Sequence, residues 1–163
     1  MPPAGLHVER TIIIQAPPHR VMAAFFEPGD LSRWWQVVRS VTVPRPLGMY
    51  AVEWESTDYR DELLGQLGGA FHGTVMEYRA GEEFFVADAY WSPPAGDPIG
   101  PMALEVQCAP QGGPHITRLV VRQSGEDEGA RWQRYFDVVA AGWQQALGEL
   151  KHYLDAEALR SRR

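Results

Sequence analysis

The chain has 163 residues, 45% hydrophobic and 22% charged, with a formal net charge of −6. This length suits one domain that buries roughly 70% of its unfolded surface. An acidic balance without clustered Lys and Arg excludes nucleic acid as the expected partner, because phosphate binding is driven by such clusters. The one dense basic run, Arg160-Ser161-Arg162-Arg163, reads as a solvated end. Cys108 is the sole cysteine, which excludes an intrachain disulfide and suits a reducing, cytoplasmic location. Residues 1–5 lack the pattern of a signal peptide. No apolar run approaches the ~20 residues of a membrane helix, so no membrane association is expected.

In chain order, Leu6 to Gln15 carries the β-branched run Thr11-Ile12-Ile13-Ile14 and reads as a strand, stopped by Ala16-Pro17-Pro18. Val21, Ala24 and Phe25 follow at helical spacing, and Pro28-Gly29 ends that short helix. Asp30 is placed to cap a second short turn bearing Leu31, Trp34 and Trp35. From Val37 to Ser124 the signals are strands and turns. Expected strands span 37–43, 49–56, 70–78, 83–91, 102–109 and 115–123, with short connections that imply antiparallel neighbours. In the second of these, Tyr50, Val52 and Trp54 alternate with Ala51, Glu53 and Glu55, the pattern of a sheet with one wet face. Residues 57–69 fit either a helical turn or a mobile hairpin tip.

Gly129 to Ala156 is the clearest element. Trp132, Phe136, Val139, Trp143, Leu147, Leu150 and Leu154 recur every three or four residues, one continuous helical stripe. Glu126, Asp127 and Glu128 precede it and three arginines follow it, both favourable to the helix dipole, and Ser124 with Asp127 makes a weak capping pattern. A strand, two short helices, six strands and a long helix make an α+β layer fold.

The pattern Ile12-x-Ile14-x-Ala16-Pro17, Val21, Phe25, Leu31, Trp34-Trp35, Gly73-Thr74-Val75-Met76-Glu77, Thr117-Arg118-Leu119, Gly142-Trp143 and the Leu147, Leu150, Leu154 ladder resembles the START-like (SRPBCC) superfamily. The branch it is most similar to is the C-terminal domain of the heat-shock chaperone ATPase activator (AHSA-like). The resemblance covers about residues 8–155. It implies a single helix-grip domain over 1–163, core 6–156: a curved antiparallel sheet of about seven strands wrapped around the C-terminal helix, with two short helices between strands 1 and 2 and a cavity inside. Two features depart from the pattern. Pro46-Leu47-Gly48-Met49 stands where many members carry a Gly-Gly pair, and the segment around Tyr59 to Gly69 is longer than usual.

Chemistry must be argued from residues, because the fold settles no function. His7, His19, His72, His115 and His152 show no ligand spacing and no CxxC exists, so no metal and no cofactor is expected. Cys108 lies in an apolar alternating strand and reads as a structural thiol. Asp88, between Val86 and Tyr90, is the best acid/base candidate if it points inward, with Arg118 or His72 as its partner. His72 shares a face with Thr74, Met76 and Tyr78 and is either a polar handle in the cavity or a surface histidine. Six Trp, six Tyr and six Phe suit aromatic cavity walls as well as plain core packing. Trp34, Trp54, His72, Tyr90, Trp132, Phe136 and Val139 are the expected ligand-lining residues, with Trp143 assigned to the core.

Three functions follow in order. The first is binding of a small apolar or aromatic molecule between sheet and helix. The second is a chaperone-associated interaction module, as the resemblance implies. The third is a cyclase- or hydrolase-like enzyme using Asp88, His72 or Tyr90 as acid or base; catalysis is the less expected outcome. A monomer and a homodimer both fit.

Overall fold

The computed structural model describes residues 6–162. Strand β1 (Leu6–Ile14) leads into two short helices, α1 (Pro18–Ala23) and α2 (Pro28–Trp34). Each helix opens on a proline, whose missing N–H would have no helical partner there. Pro28-Gly29 therefore begins α2 rather than closing α1. Asp30 is not the cap: Glu27 holds that position, and Asp30 sits inside the first turn, 8% exposed. Its carboxylate is engaged by residues distant in sequence instead.

The chain then builds β2 (Arg39–Thr42), β3 (Met49–Trp54), a two-residue pair β4 (Arg60–Asp61) and β5 (Gly65–Gln66), and β6 (Gly69–Arg79). It closes with β7 (Glu83–Ser92), β8 (Ile99–Pro110), β9 (Thr117–Gly125) and the long helix α3 (Ala130–Ser161). The main sheet has seven strands in the order β1-β9-β8-β7-β6-β3-β2, every neighbour antiparallel. α1 and α2 thus carry the chain from one sheet edge to the other, and hairpins walk it back. Residues 57–69, open between two readings in the sequence, form the small β4–β5 hairpin.

One sheet face is apolar as the alternation predicts. Tyr50, Val52, Val75, Val86, Leu104, Leu119 and Val121 are at most 1% exposed. At the departure from the Gly-Gly pattern, Leu47 adopts a positive φ of 66°, the left-handed conformation a glycine takes without strain. Gly48 beside it has no room for a side chain, since a Cβ would fall 2.5 Å from the Val43 carbonyl.

α3 has 32 residues and is about 48 Å long at 1.5 Å per residue, so it outreaches any one layer of core beneath it. It runs past the expected Ala156 to Ser161, and Gly129 occupies its N-cap without a side-chain bond. Asp127 accepts from the Gly129 N–H at 2.8 Å rather than capping the helix with Ser124. The C-terminal half is fastened to the rest of the protein. Leu147, Leu150 and Leu154 are at most 2% exposed, each burial stabilising by about 2 kcal/mol. Lys151 Nζ donates to the Ile13 carbonyl at 2.8 Å, and Asp155 accepts from the Gln15 N–H at 2.8 Å.

A charged knot completes this attachment. Arg20 donates to both Asp30 oxygens, at 2.8 and 2.9 Å, and through Nε to Glu157 at 2.8 Å. Tyr153 donates to Asp30 Oδ1 at 2.6 Å. Arg20 is the first cause holding the Asp30 carboxyl below the usual carboxylate range, against an upward push from burial, with Tyr153 assisting. A carboxylate depressed on folding contributes stability that is complete above its unfolded value near pH 4 and declines as pH falls through its lower folded value. Asp30→Asn is therefore expected to lower stability by about 2 kcal/mol at pH 7. Denaturant melts should show the gap to the native protein closing as pH falls from 4 toward 2.

Candidate functional site

Beside the N-terminal half of α3 a solvent-open cavity of about 960 Å³ is lined by helix, sheet and loops. Its roof is the α3 face bearing Tyr135, Val138, Val139, Gly142, Trp143 and Ala146. The floor is the inner sheet face at Phe71, Trp91 and Gln123. Trp34 and Trp35 at the end of α2, Trp54 at the end of β3, and Leu64 and Leu67 around the small hairpin close the sides.

Local sequence explains the aromatic wall. The end of α2 puts two consecutive indoles against the opening, stacked with centroids 4.9 Å apart. Trp35 meets Trp54 edge-on at 5.2 Å and Trp143 at 4.9 Å, so four tryptophans from three elements are contiguous. Across the cavity Trp91 stacks on Tyr135 at 5.2 Å. Four of the wall's indole N–H groups are bound by protein: Trp34 to the Ala24 carbonyl, Trp54 to Trp35, Trp91 to Gly68 and Trp143 to Gln123 Oε1. With these N–H groups satisfied by protein, the indoles themselves present carbon surface to the lining.

The expected lining residues divide. Trp34, Trp54 and Val139 lie on the cavity wall. Trp132 and Phe136 do not. They stack on each other at 6.3 Å, with Trp132 occupying the space over Gly125, where a Cβ would fall 2.3 Å from its ring. Without a side chain on Gly125, the helix start settles onto β9 there. His72 and Tyr90 also lie elsewhere. They pair across β6 and β7 with Phe71 and Trp91 as the inward neighbours, so both point to the outer face. There the two rings stack at 6.1 Å and His72 Nε2 lies 3.1 Å from Ser92 Oγ. Asp88 is exposed, at φ 52°, on a bulge between Val86 and Ala89. The extra residue interrupts the alternation that suggested an inward carboxylate, and no ion pair to Arg118 or His72 forms. Trp143, assigned to the core, is both buried and part of the wall.

Sequence reasoning passed over Trp35, Tyr135, Gly142, Ala146 and Gln123. A signal existed for the helix residues. Positions 135, 138, 139, 142, 143 and 146 form a second stripe at spacings of three and four, and its small members Gly142 and Ala146 leave room where the leucine ladder fills it. Gln123 gave no distinguishing signal, because it stands among other polar residues, Arg122 and Ser124, at the end of its strand.

The carboxylates on the wall are Glu55 and Glu149, both exposed, and no Lys, Arg or His lines it. Among the described residues no group of three metal-ligating side chains converges, and no helix is long and apolar enough to cross a membrane. Cys108, on β8, is buried and its thiol is pushed up to about 12 by burial, which leaves it unreactive as a nucleophile.

With this architecture in view, residues 15–155 match the model of the family described as Activator of Hsp90 ATPase homolog 1-like protein. The chain belongs to that family. No curated protein is similar enough in sequence to match it. Solved structures of the same fold include protein MLL2253 from Mesorhizobium loti, 20% identical over 93% of this chain and 98% of that one, with a TM-score of 0.68. Protein Ms6760 from Mycobacterium smegmatis is 17% identical over 93% and 92%, with a TM-score of 0.71. The Aha1 dimer from Colwellia psychrerythraea is 16% identical over 92% and 96%, with a TM-score of 0.58. At such identities the likeness is one of fold.

In this chain the small hairpin is strapped to α3. Asp61, 7% exposed, accepts from Arg134 Nε at 2.6 Å and from the Leu63 and Leu64 N–H groups at 3.0 Å each. Burial pushes its carboxyl up, but Arg134 and the two N–H groups outweigh this and hold it below its ordinary value. Asp61→Ala is expected to accelerate limited proteolysis within residues 57–66 severalfold while the melting temperature of the whole chain moves little.

Proposed function

We propose that this protein binds a small apolar, largely aromatic molecule in the cavity between the sheet and the N-terminal half of α3. The observation that carries this reading is the space itself. A solvent-open pocket of about 960 Å³ beside a helix whose other half is tightly packed sits at the upper end of ligand-pocket volumes. The wall supports it, since the partly exposed indoles of Trp35 and Trp54 offer apolar surface to a planar guest. Catalysis lacks comparable support: the wall's two carboxylates are at the solvent-exposed rim, and Asp88 and His72 lie outside the cavity.

A second reading, interaction with a protein partner such as a chaperone, is favoured by the family and by one surface. Val41 and Met49, both more than half exposed, sit on one outer face at the free edge strand β2 and its neighbour β3, with Leu47 exposed in the loop joining them. Loss of pull-down of an Hsp90-type chaperone on Val41→Lys with Met49→Lys would support it, and absence of any pull-down by the native chain would reject it.

Gly142 provides the test of the cavity. It lines the mouth and is exposed, and a Cβ placed there meets nothing within 4 Å. Gly142→Phe should leave the melting temperature unchanged or raised, because a mid-helix glycine costs up to about 1 kcal/mol, while the ring enters the opening. Titrating fluorene against tryptophan emission should give saturable quenching in the native chain and at least roughly tenfold weaker binding in the variant, a loss of about 1.4 kcal/mol. Equal affinity in both would place the probe outside the cavity and overturn the proposal.

A further inference from the structure

The hydrogen bonds beneath the cavity have a direction, and that direction specifies one contact for the guest. Three buried side chains form the chain of bonds: Gln123 is 3% exposed, and Tyr135 and Trp143 are 5% exposed each. An indole N–H only donates, so the Gln123 amide must turn its oxygen toward Trp143 Nε1, which lies 2.8 Å away. The opposite amide orientation would set two donors against each other. The amide nitrogen is therefore the group that faces Tyr135 Oη at 3.1 Å and Met102 Sδ at 3.0 Å, and its two hydrogens are used there. Tyr135 consequently accepts rather than donates in this contact. Its own hydroxyl hydrogen has no acceptor among the described residues, although the ring is buried and the residue lines the cavity. A buried donor without an acceptor is costly, and a guest can supply one.

We infer that the cavity selects a neutral, flat molecule carrying a carbonyl-type acceptor oxygen, which receives the Tyr135 hydroxyl hydrogen while the aromatic body lies against the tryptophan wall. The inference rests on the cavity being the binding site. Two further observations support the class. Burial raises the Tyr135 hydroxyl above its ordinary value, more than the Gln123 contact lowers it, so the group remains a donor throughout the working pH range. The charged wall residues are Glu55 and Glu149, which repel an anionic acceptor such as a fatty-acid carboxylate and tolerate a neutral one.

The matched probes are 9-fluorenone and fluorene, which share a planar tricyclic frame and differ in one carbonyl. The native chain and Tyr135→Phe are titrated with both, and the carbonyl stretch of bound fluorenone is recorded by infrared difference spectroscopy. The ratio of fluorenone to fluorene affinity should fall by about threefold to tenfold in Tyr135→Phe, the range of one net neutral hydrogen bond. The stretch should move to lower frequency in the native chain relative to fluorenone in hydrocarbon, and return in the variant. The spectrum of the native complex tests the contact even if the variant folds poorly. Fluorene binding with an unshifted stretch and an unchanged ratio would overturn the hydroxyl contact and leave the cavity reading standing. Failure of both probes to bind the native chain would overturn the cavity reading and this inference with it.

Discussion

Asp30 is the point on which the arrangement turns. One buried carboxylate accepts from Arg20 in α1 and from Tyr153 in α3, and through Arg20 it is joined to Glu157 near the end of α3. Segments far apart in sequence thereby share one charge network. Removing water from a carboxylate is expensive unless its lone pairs are occupied, and here both oxygens are. The geometry that satisfies Asp30 is also the geometry that lays α3 across β1, so the helix cannot shift along the sheet without exposing an unpaired charge to a poor solvent.

Anchoring at one end leaves the other end free to do something different. Beyond the leucine ladder the helix carries two small residues, Ala146, buried, and Gly142, exposed at the mouth, and the large residues Trp143 and Tyr135 reach to Gln123 and Trp91. Trp132 and Phe136 then bring the first turns back onto the sheet over Gly125. The cavity lies beneath a span held at both ends, and the Asp61–Arg134 pair ties to that span the hairpin whose Leu64 forms part of the side.

Much of this was legible in the residues. The long helix, the antiparallel sheet and the paired short helices follow from periodicity and turn chemistry, because burial on one face imposes a period that local sequence must obey. The site was legible only in part. Trp34 and Trp54 could be placed because they end elements that had to surround any interior space, and Val139 because it lies on the apolar stripe of the closing helix. His72 and Tyr90 could not, since strand β6 is mixed on both faces and only its pairing with β7 decides which side is wet. Asp88 defeated the alternation because a bulge adds a residue that no local signal announced. Phe136 and Trp132 were drawn away by the absence of a side chain on Gly125, a residue distant from the stripe under consideration. Asp30 resembled a cap because its long-range partners, Arg20 and Tyr153, have no sequence proximity that announces them as a group.

The separation of the fastened half of α3 from the spanning half has an evolutionary consequence. Substitutions at exposed positions of the mouth, such as Gly142, alter the shape of the opening without touching the knot at Asp30 or the leucine ladder, so the opening can change while the fold is kept. A lineage can therefore drift through many shapes of that opening while each intermediate remains foldable, so divergence at the mouth is expected to outpace divergence in architecture.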